Sequence, residues 1–261
     1  MIVNADDWAL SVQETNRILE CFRAGVVSSV SAMVFMRDSE RAAELAREHT
    51  IHSGIHLNLT CGFTAPNLPQ RLQDHQQRTA AFLRFRRFSR GHFNPLLARS
   101  FDYTVKAQME EFERLYGARP ARVDGHHNMH LCANVLVQDL LPRQAVVRRI
   151  ESFAAGEKSA MERLYRRMLD RLLARRYRMP DYFFALLPME AARIHRIVEL
   201  ARTSTVELGT HPADDSEYAF LMNGGLADPG ANVGIAQGYG LCASEAGKPA
   251  AAIARRAGRS A

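Results

Sequence analysis

Apolar and polar positions along the chain follow two rhythms, one of strands and one of helices. The apolar run IVNA at 2–5 stops at two carboxylates, Asp6 and Asp7, and reads as a buried strand. Behind it Val12, Ile18, Leu19 and Phe22 recur at helical spacing. Ser11 and Glu14 form an S-x-x-E capping box that starts this helix, and Gly25 sits where it should stop. The unit then returns in kind: a strand near 28–36, a helix through SERAAELARE at 39–48, and a strand in SGIHLNLT at 53–60. Further strands are predicted in ARVDGH (121–126), AVVRR (145–149), DYFFAL (181–186) and TVELGTH (205–211), with helices near 104–116, 158–175 and 189–202. Strands alternating with helices predict an α/β protein with a parallel sheet. Seven strand candidates in this rhythm favour a TIM-like (β/α) barrel, irregular or incompletely closed, over an open doubly wound sheet. No GxGxxG or Walker loop follows a strand, which counts against a nucleotide fold.

This pattern predicts one barrel domain over 1–222. It carries an insertion at about 61–102, long enough to overhang the active face as a lid, and is followed by an irregular Gly/Ala-rich tail at 223–261. Hydrophobic residues make up 47% of the 261 positions and charged residues 24%, the balance of an ordinary globular protein. The opening MIVNADDWALS lacks a basic segment followed by an apolar one, so no secretory leader is expected there. The most apolar stretch, GVVSSVSAMVFM, falls short of the roughly 20 residues that span a bilayer. Cys21, Cys61, Cys132 and Cys242 are isolated, which fits reduced thiols and a cytoplasmic location. The net charge of +6 is concentrated in RFRRFSRGH (84–92) and ERLYRRMLDRLLARRYR (162–178). A polyanion partner is one reading of these arginines. The preferred one is a solvated helix face, with Leu164, Met168, Leu172 and Leu173 turned to the core and no nucleic acid bound.

Polar clusters collect at the predicted C-terminal ends of strands: Asp6 and Asp7, His56, the segment DGHHNMH at 124–130, and His211. In a (β/α) barrel these ends open onto one face. Alternation along the strand puts His56 and Asn58 opposite Ile55, Leu57 and Leu59, and puts Glu207, Gly209 and His211 on a common face. His126 and His130 are spaced i, i+4, which on a helical turn brings both imidazoles to one side. With Asp7 and His56 they make one carboxylate and two or three imidazoles, a set that suits Zn²⁺ or another divalent ion and leaves positions open for water or substrate.

The segments VNADDWALS, GVVSSVSAMV, GIHLNLT, DGHHNMHL and VELGTHP occur in an order and spacing that resembles the YdjC-like carbohydrate deacetylases. That group includes chitooligosaccharide deacetylase and a hopanoid-biosynthesis branch. The resemblance covers residues 2–221 and implies a TIM-like barrel. It also implies that Asp7, His56 and His126 bind one divalent ion, Zn²⁺, Mg²⁺ or Mn²⁺, with Asp6 as general base and His211 as general acid. His127 and His130 then lie behind these ligands or face the substrate, with His130 the reserve ligand. Asp124 holds an imidazole N–H and fixes its tautomer, and Trp8 and Asn58 meet the substrate. Trp8-Ala9 stands where the family usually has Phe-Gly, and Asn128 where it has a third consecutive histidine.

The implied reaction is removal of acetyl from an N-acetylated amino sugar, free or on a carrier. Peripheral contact with a glycolipid-bearing membrane and a homodimer are compatible with it. Two other readings stay open at this point: a metal-dependent hydrolase of another amide or ester, and a basic non-catalytic protein that binds an anionic partner.

Overall fold

The computed structural model describes residues 1–85, 89–143, 145–153 and 160–226. Most of the tail expected at 223–261 therefore lies outside the described residues, as do positions 86–88 of the arginine-rich run. The predicted helix start forms, with the Glu14 carboxylate accepting the Ser11 hydroxyl and not the Ser11 backbone N–H of a full capping box. β1 (Ile2–Trp8) leads to α1 (Val12–Arg23), the Ser11 hydroxyl accepts the Glu14 N–H, and Gly25 follows the helix at φ 74°, where a side chain would be strained. α1 buries Thr15, Ile18, Leu19 and Cys21, whereas Val12, expected on the apolar face, is half exposed on its first turn.

β2 (Ser29–Ala32), α2 (Ser39–Glu48) and β3 (His52–Leu57) repeat the unit. The segment expected as an insertion holds a helix of its own, α3 (Gln70–Phe85), which packs along α4 (Ala98–Tyr116), with Phe82 edge-on to Phe101. β4 (Arg122–Gly125), α5 (Ala133–Val137), β5 (Val146–Val147), α6 (Ala160–Ala174), β6 (Tyr182–Ala185), α7 (Ala191–Leu200), β7 (Val206–Thr210) and α8 (Asp215–Met222) complete the order.

All strand pairs are parallel, and the seven run β5-β4-β3-β2-β1-β7-β6. Sequential neighbours with β7 beside β1 are the order of a barrel, curled here with a seam between β5 and β6. Among the described residues two backbone hydrogen bonds cross that seam, from Val147 N–H to Arg178 O (2.8 Å) and from Ser152 N–H to Phe183 O (2.7 Å), and Phe183 N–H also donates to Ser152 Oγ (3.3 Å). No helix among the described residues is long and apolar enough to cross a membrane.

The two faces of the curled sheet differ in chemistry. Val3, Ala5, Val30, Ala32, Ile55, Leu57 and Val123 face the helices, within one buried apolar cluster that reaches from Val3 to Leu221. The alternate positions turn inward and bond to one another. Asn4 Nδ2 donates to Ser31 Oγ (2.7 Å), Ser29 Oγ donates to Asn4 Oδ1 (2.7 Å), and Ser31 Oγ donates to Asp124 Oδ2 (2.6 Å). Buried polar groups of this kind are tolerated only when paired.

α6 departs from its sequence pattern. Leu173 is buried, but Leu164, Met168 and Leu172 face solvent. The helix docks by a different stripe: Leu169 packs on the core, Asp170 pairs with Arg149, and Arg166 donates to Glu151 O (3.1 Å) and lies over the Phe153 ring. Two apolar stripes compete at helical spacing, and the one adjoining charged partners is turned inward.

Candidate metal centre

β1 sets up the site by breaking its own alternation. Consecutive strand residues point to opposite faces, yet Asp6 and Asp7 both line one pocket. The pairing with β2 slips between Ala5 and Trp8, and Asp7 takes φ 64°, a left-handed conformation that Asp tolerates better than most residues. This bulge re-aims Asp7 without moving Asp6.

At the end of β3, His56 is buried and held from behind, its Nδ1 lying 2.7 Å from Asp124 Oδ1. That contact leaves His56 Nε2 facing Asp7 Oδ1 at 3.3 Å. His126, just after β4, brings its Nδ1 to 2.8 Å from the same Asp7 oxygen. Asp7, His56 and His126 thus offer one ligand atom each, all within 4.8 Å of one another. One carboxylate and two imidazoles, one of them anchored through its other nitrogen by a carboxylate, is a donor set that fits a divalent ion; nitrogen donors favour Zn²⁺ or a neighbouring transition ion over Mg²⁺. A second acidic group, Asp6, His56 and Asp124, meets equally closely. It already holds a cation, because Arg148 donates to both oxygens of Asp6 (2.7 Å each) and approaches Asp124 Oδ2 at 3.0 Å.

Without an ion, charge pairing favours the protonated imidazoles of His56 and His126, and an ion held there would displace a proton from each ring. Burial disfavours the His56 imidazolium, but the Asp124 and Asp6 charges, with hydrogen bonds to Asp124 and Asp7, push its pKa up to about 10. Burial likewise opposes charge on His126, and the hydrogen bonds to Asp7 and Cys61 lift it to about 9. Asp7 would be raised by burial; the hydrogen bonds from His126 and His56 hold it well below the usual carboxylate range instead. Asp6 is buried too, and Arg148 and His56 keep it ionised, with a pKa below the ordinary value. His211 is half exposed at the end of β7, its Nε2 3.8 Å from Asp6 Oδ2 and its Nδ1 3.7 Å from Glu217 Oε1. Desolvation lowers its pKa, but Glu217, Asp6 and Asp7 together outweigh that and the net shift is upward.

The remaining expected residues divide. Asp124 occupies the anchoring position on His56, and Arg122 pairs with it from below. His127 lines the pocket, with Nδ1 3.0 Å from Thr60 Oγ1 and its ring 3.9 Å from that of His126. His130 does not join the donors. His127 and Asn128 both adopt φ 56°, so residues 126–131 are a kinked turn in which i, i+4 spacing no longer shares a face. His130 is instead fully buried, with Nε2 3.0 Å from Arg148 O and its pKa lowered to about 4 by burial, so the neutral ring donates to that carbonyl. Gly125 permits the turn, since a Cβ there would lie 2.9 Å from the His130 backbone nitrogen. Trp8 misses the substrate position expected for it: beyond the bulge its ring enters the apolar core, fully buried, with Nε1 donating to Ala42 O (3.2 Å). Asn58 also stays out of the pocket. It follows the last residue of β3, where alternation has ended, and its Oδ1 accepts the N–H groups of Thr60 and Cys61.

The pocket, of ≈ 340 Å³, is completed by residues that the sequence pattern did not single out: Arg148, Glu151 and Phe183. Arg148 is the centre of the inward network, since it also donates Nε–H to Glu207 (2.7 Å) and stacks on Phe183. Its position at the end of a predicted strand was the one available signal. Phe183 lies over Gly209, where a Cβ would come within 2.9 Å of its ring. Among the described residues of 61–102, Cys61 reaches the site through its hydrogen bond to His126, and none lines the pocket itself. A larger groove of ≈ 550 Å³ beside α4 contains no histidine or cysteine among its lining residues, so chemistry and not volume marks the site.

A family model described as YdjC-like protein matches residues 1–231. A carbohydrate deacetylase of Brevibacillus brevis is 37% identical over 131 residues, 50% of each chain. A chitooligosaccharide deacetylase of Yersinia pestis is 31% identical over 136 residues, 52% of each chain. The chain thus spans about half the length of the curated relatives it matches. A solved structure from Enterococcus faecalis V583, described as a cellobiose-phosphate cleavage protein, superposes with a TM-score of 0.54 at 21% identity, covering 80% of this chain and 78% of that one. The two share a fold.

Proposed function

The chain belongs to the YdjC-like protein family, and on that premise we propose that it is a divalent-metal-dependent hydrolase that removes the acetyl group from an N-acetylated amino sugar. The observation that carries the reading is convergence: Asp7, His56 and His126 meet beside an ionised carboxylate, Asp6, and an imidazole of raised pKa, His211, in one pocket. The names of the relatives supply the substrate class.

Asp7, His56 and His126 would hold the ion, which would supply Lewis-acid polarisation of the acetamide carbonyl and lower the pKa of water there. Asp6, fixed by Arg148, accepts a proton from the attacking water as its oxygen bonds to the acetyl carbon. The C–N bond breaks and His211 donates its proton to the departing nitrogen, because an unprotonated amine is a poor leaving group. The products are acetate and the protonated amine, the proton of the nascent acetic acid passing to the more basic nitrogen. Return to the starting state needs one proton to pass from Asp6 to His211, whose nearest atoms are 3.8 Å apart. Asp124 keeps His56 in the tautomer that presents Nε2, and Arg148 is a positioning residue for Asp6.

The test is acetate release from a panel of N-acetylated amino sugars, using metal-depleted and Zn²⁺-reconstituted protein. Release that depends on added metal is expected. Metal-dependent cleavage of other amides or esters, with none of N-acetyl sugars, would move the assignment to a different hydrolase. Metal-independent release would overturn the mechanism.

A further inference from the structure

α6 leaves a continuous apolar stripe on the protein surface. Met161, Leu164, Met168 and Leu172 are 81%, 63%, 54% and 49% exposed, at spacings of three and four residues, and so form one line about 16 Å long. Arg167 and Arg171, both exposed and four residues apart, run along one flank of that line, and exposed Arg175 follows in the turn just past the helix end. Among the described side chains of this outward face there is no carboxylate, because Asp170 is turned inward to Arg149. The described side chains of this face are apolar and cationic together, on a chain whose net charge is +6.

We propose that this face of α6 docks the protein on an anionic lipid surface, with the stripe entering the boundary between headgroups and acyl chains and the arginines meeting lipid phosphates. An apolar stripe flanked by arginines is the pattern of helices that lie in the interface plane. Methionine and leucine side chains on a convex helix need no shaped groove in their partner, and a fluid bilayer supplies none. Charge complementarity separates this occupant from a second copy of the chain: two such faces packed together would set arginine rows against each other, whereas anionic lipid neutralises them.

Flotation with vesicles tests the proposal on the full chain. Wild type is expected to float with phosphatidylglycerol/phosphatidylcholine vesicles and to bind pure phosphatidylcholine at least ten-fold more weakly. Leu164→Ser with Met168→Ser should weaken binding to the anionic vesicles at least ten-fold without lowering the melting temperature, as both side chains are exposed. Arg171→Gln with Arg175→Gln should weaken it and flatten its salt dependence. Equal flotation of these variants and wild type would overturn the assignment. So would absence of wild-type flotation at low salt, or light scattering that shows a wild-type dimer converted to monomer by the Leu164/Met168 pair, which would make the stripe a contact between copies.

Discussion

The two halves of the sheet do different work. β1, β3 and β4 carry Asp7, His56 and His126, the proposed ligands, and sit in the middle of the sheet with partners on both sides. β5, β6 and β7 carry Arg148, Phe183, Glu207 and His211, and include the two edge strands, β5 being only two residues long. The half proposed to hold an ion lies at the centre of the sheet, and the half proposed to orient the base and deliver a proton lies at the seam. Asp6 belongs to the first half by sequence and is gripped by the second through Arg148. Metal retention and turnover should therefore be separable.

The strongest test of that division is His126→Ala. It should empty the centre of metal and lower acetate release by about 10³-fold or more, since metal assistance is worth several kcal/mol; metal analysis beside the assay checks it, and retained metal would break the comparison. Asp6→Asn should lose about 10²–10⁴-fold in rate while keeping one equivalent of metal. Arg148→Met leaves Asp6 buried without its bidentate cation and Glu207 with only the more distant Arg122, and urea unfolding should show a loss of about 3–5 kcal/mol.

His211→Ala should cost about 10²-fold in kcat with metal content unchanged. The pH profile sharpens this point. The His211 pKa lies above the ordinary imidazole value, so its acid form persists above that value and kcat falls only as pH rises through the shifted pKa. Glu217→Gln removes one of the groups that raise it and should move this basic limb to lower pH. The smallest effect belongs to Trp8→Phe. Loss of the bond to Ala42 O should cost about 1–2 kcal/mol of stability with no change in KM.

Much of the frame was legible because local rules decided it. SERAAELARE forms α2 at the expected residues, the Ser11 hydroxyl caps α1, and the alternation that turns His56 inward also aligns Glu207, Gly209 and His211. The misreadings fall where a local rule is interrupted. Trp8 lies beyond a bulge, Asn58 beyond the end of its strand, and His130 beyond two left-handed residues, so period-2 and i, i+4 arguments expire one step too early. Arg148 was missed for a different reason. Its carboxylate partners on β1 and β7 are 142 and 59 residues away in sequence, and no local pattern reports such a meeting. α6 was misjudged because its helical period offered two apolar stripes and only the tertiary partners Arg149 and Glu151 chose between them.

The bulge in β1 has a mechanical consequence. Asp6 and Asp7 are adjacent, so their Cα atoms remain about 3.8 Å apart however the strands slide or the seam opens. The most exacting dimension of the proposed reaction, from proton acceptor to ion, is thus stored largely in bond lengths, whereas the reach of His211 depends on packing. On warming, the tolerance of the pocket should be consumed first on the His211 side, with the paired aspartates acting as a gauge block against which the rest of the site drifts.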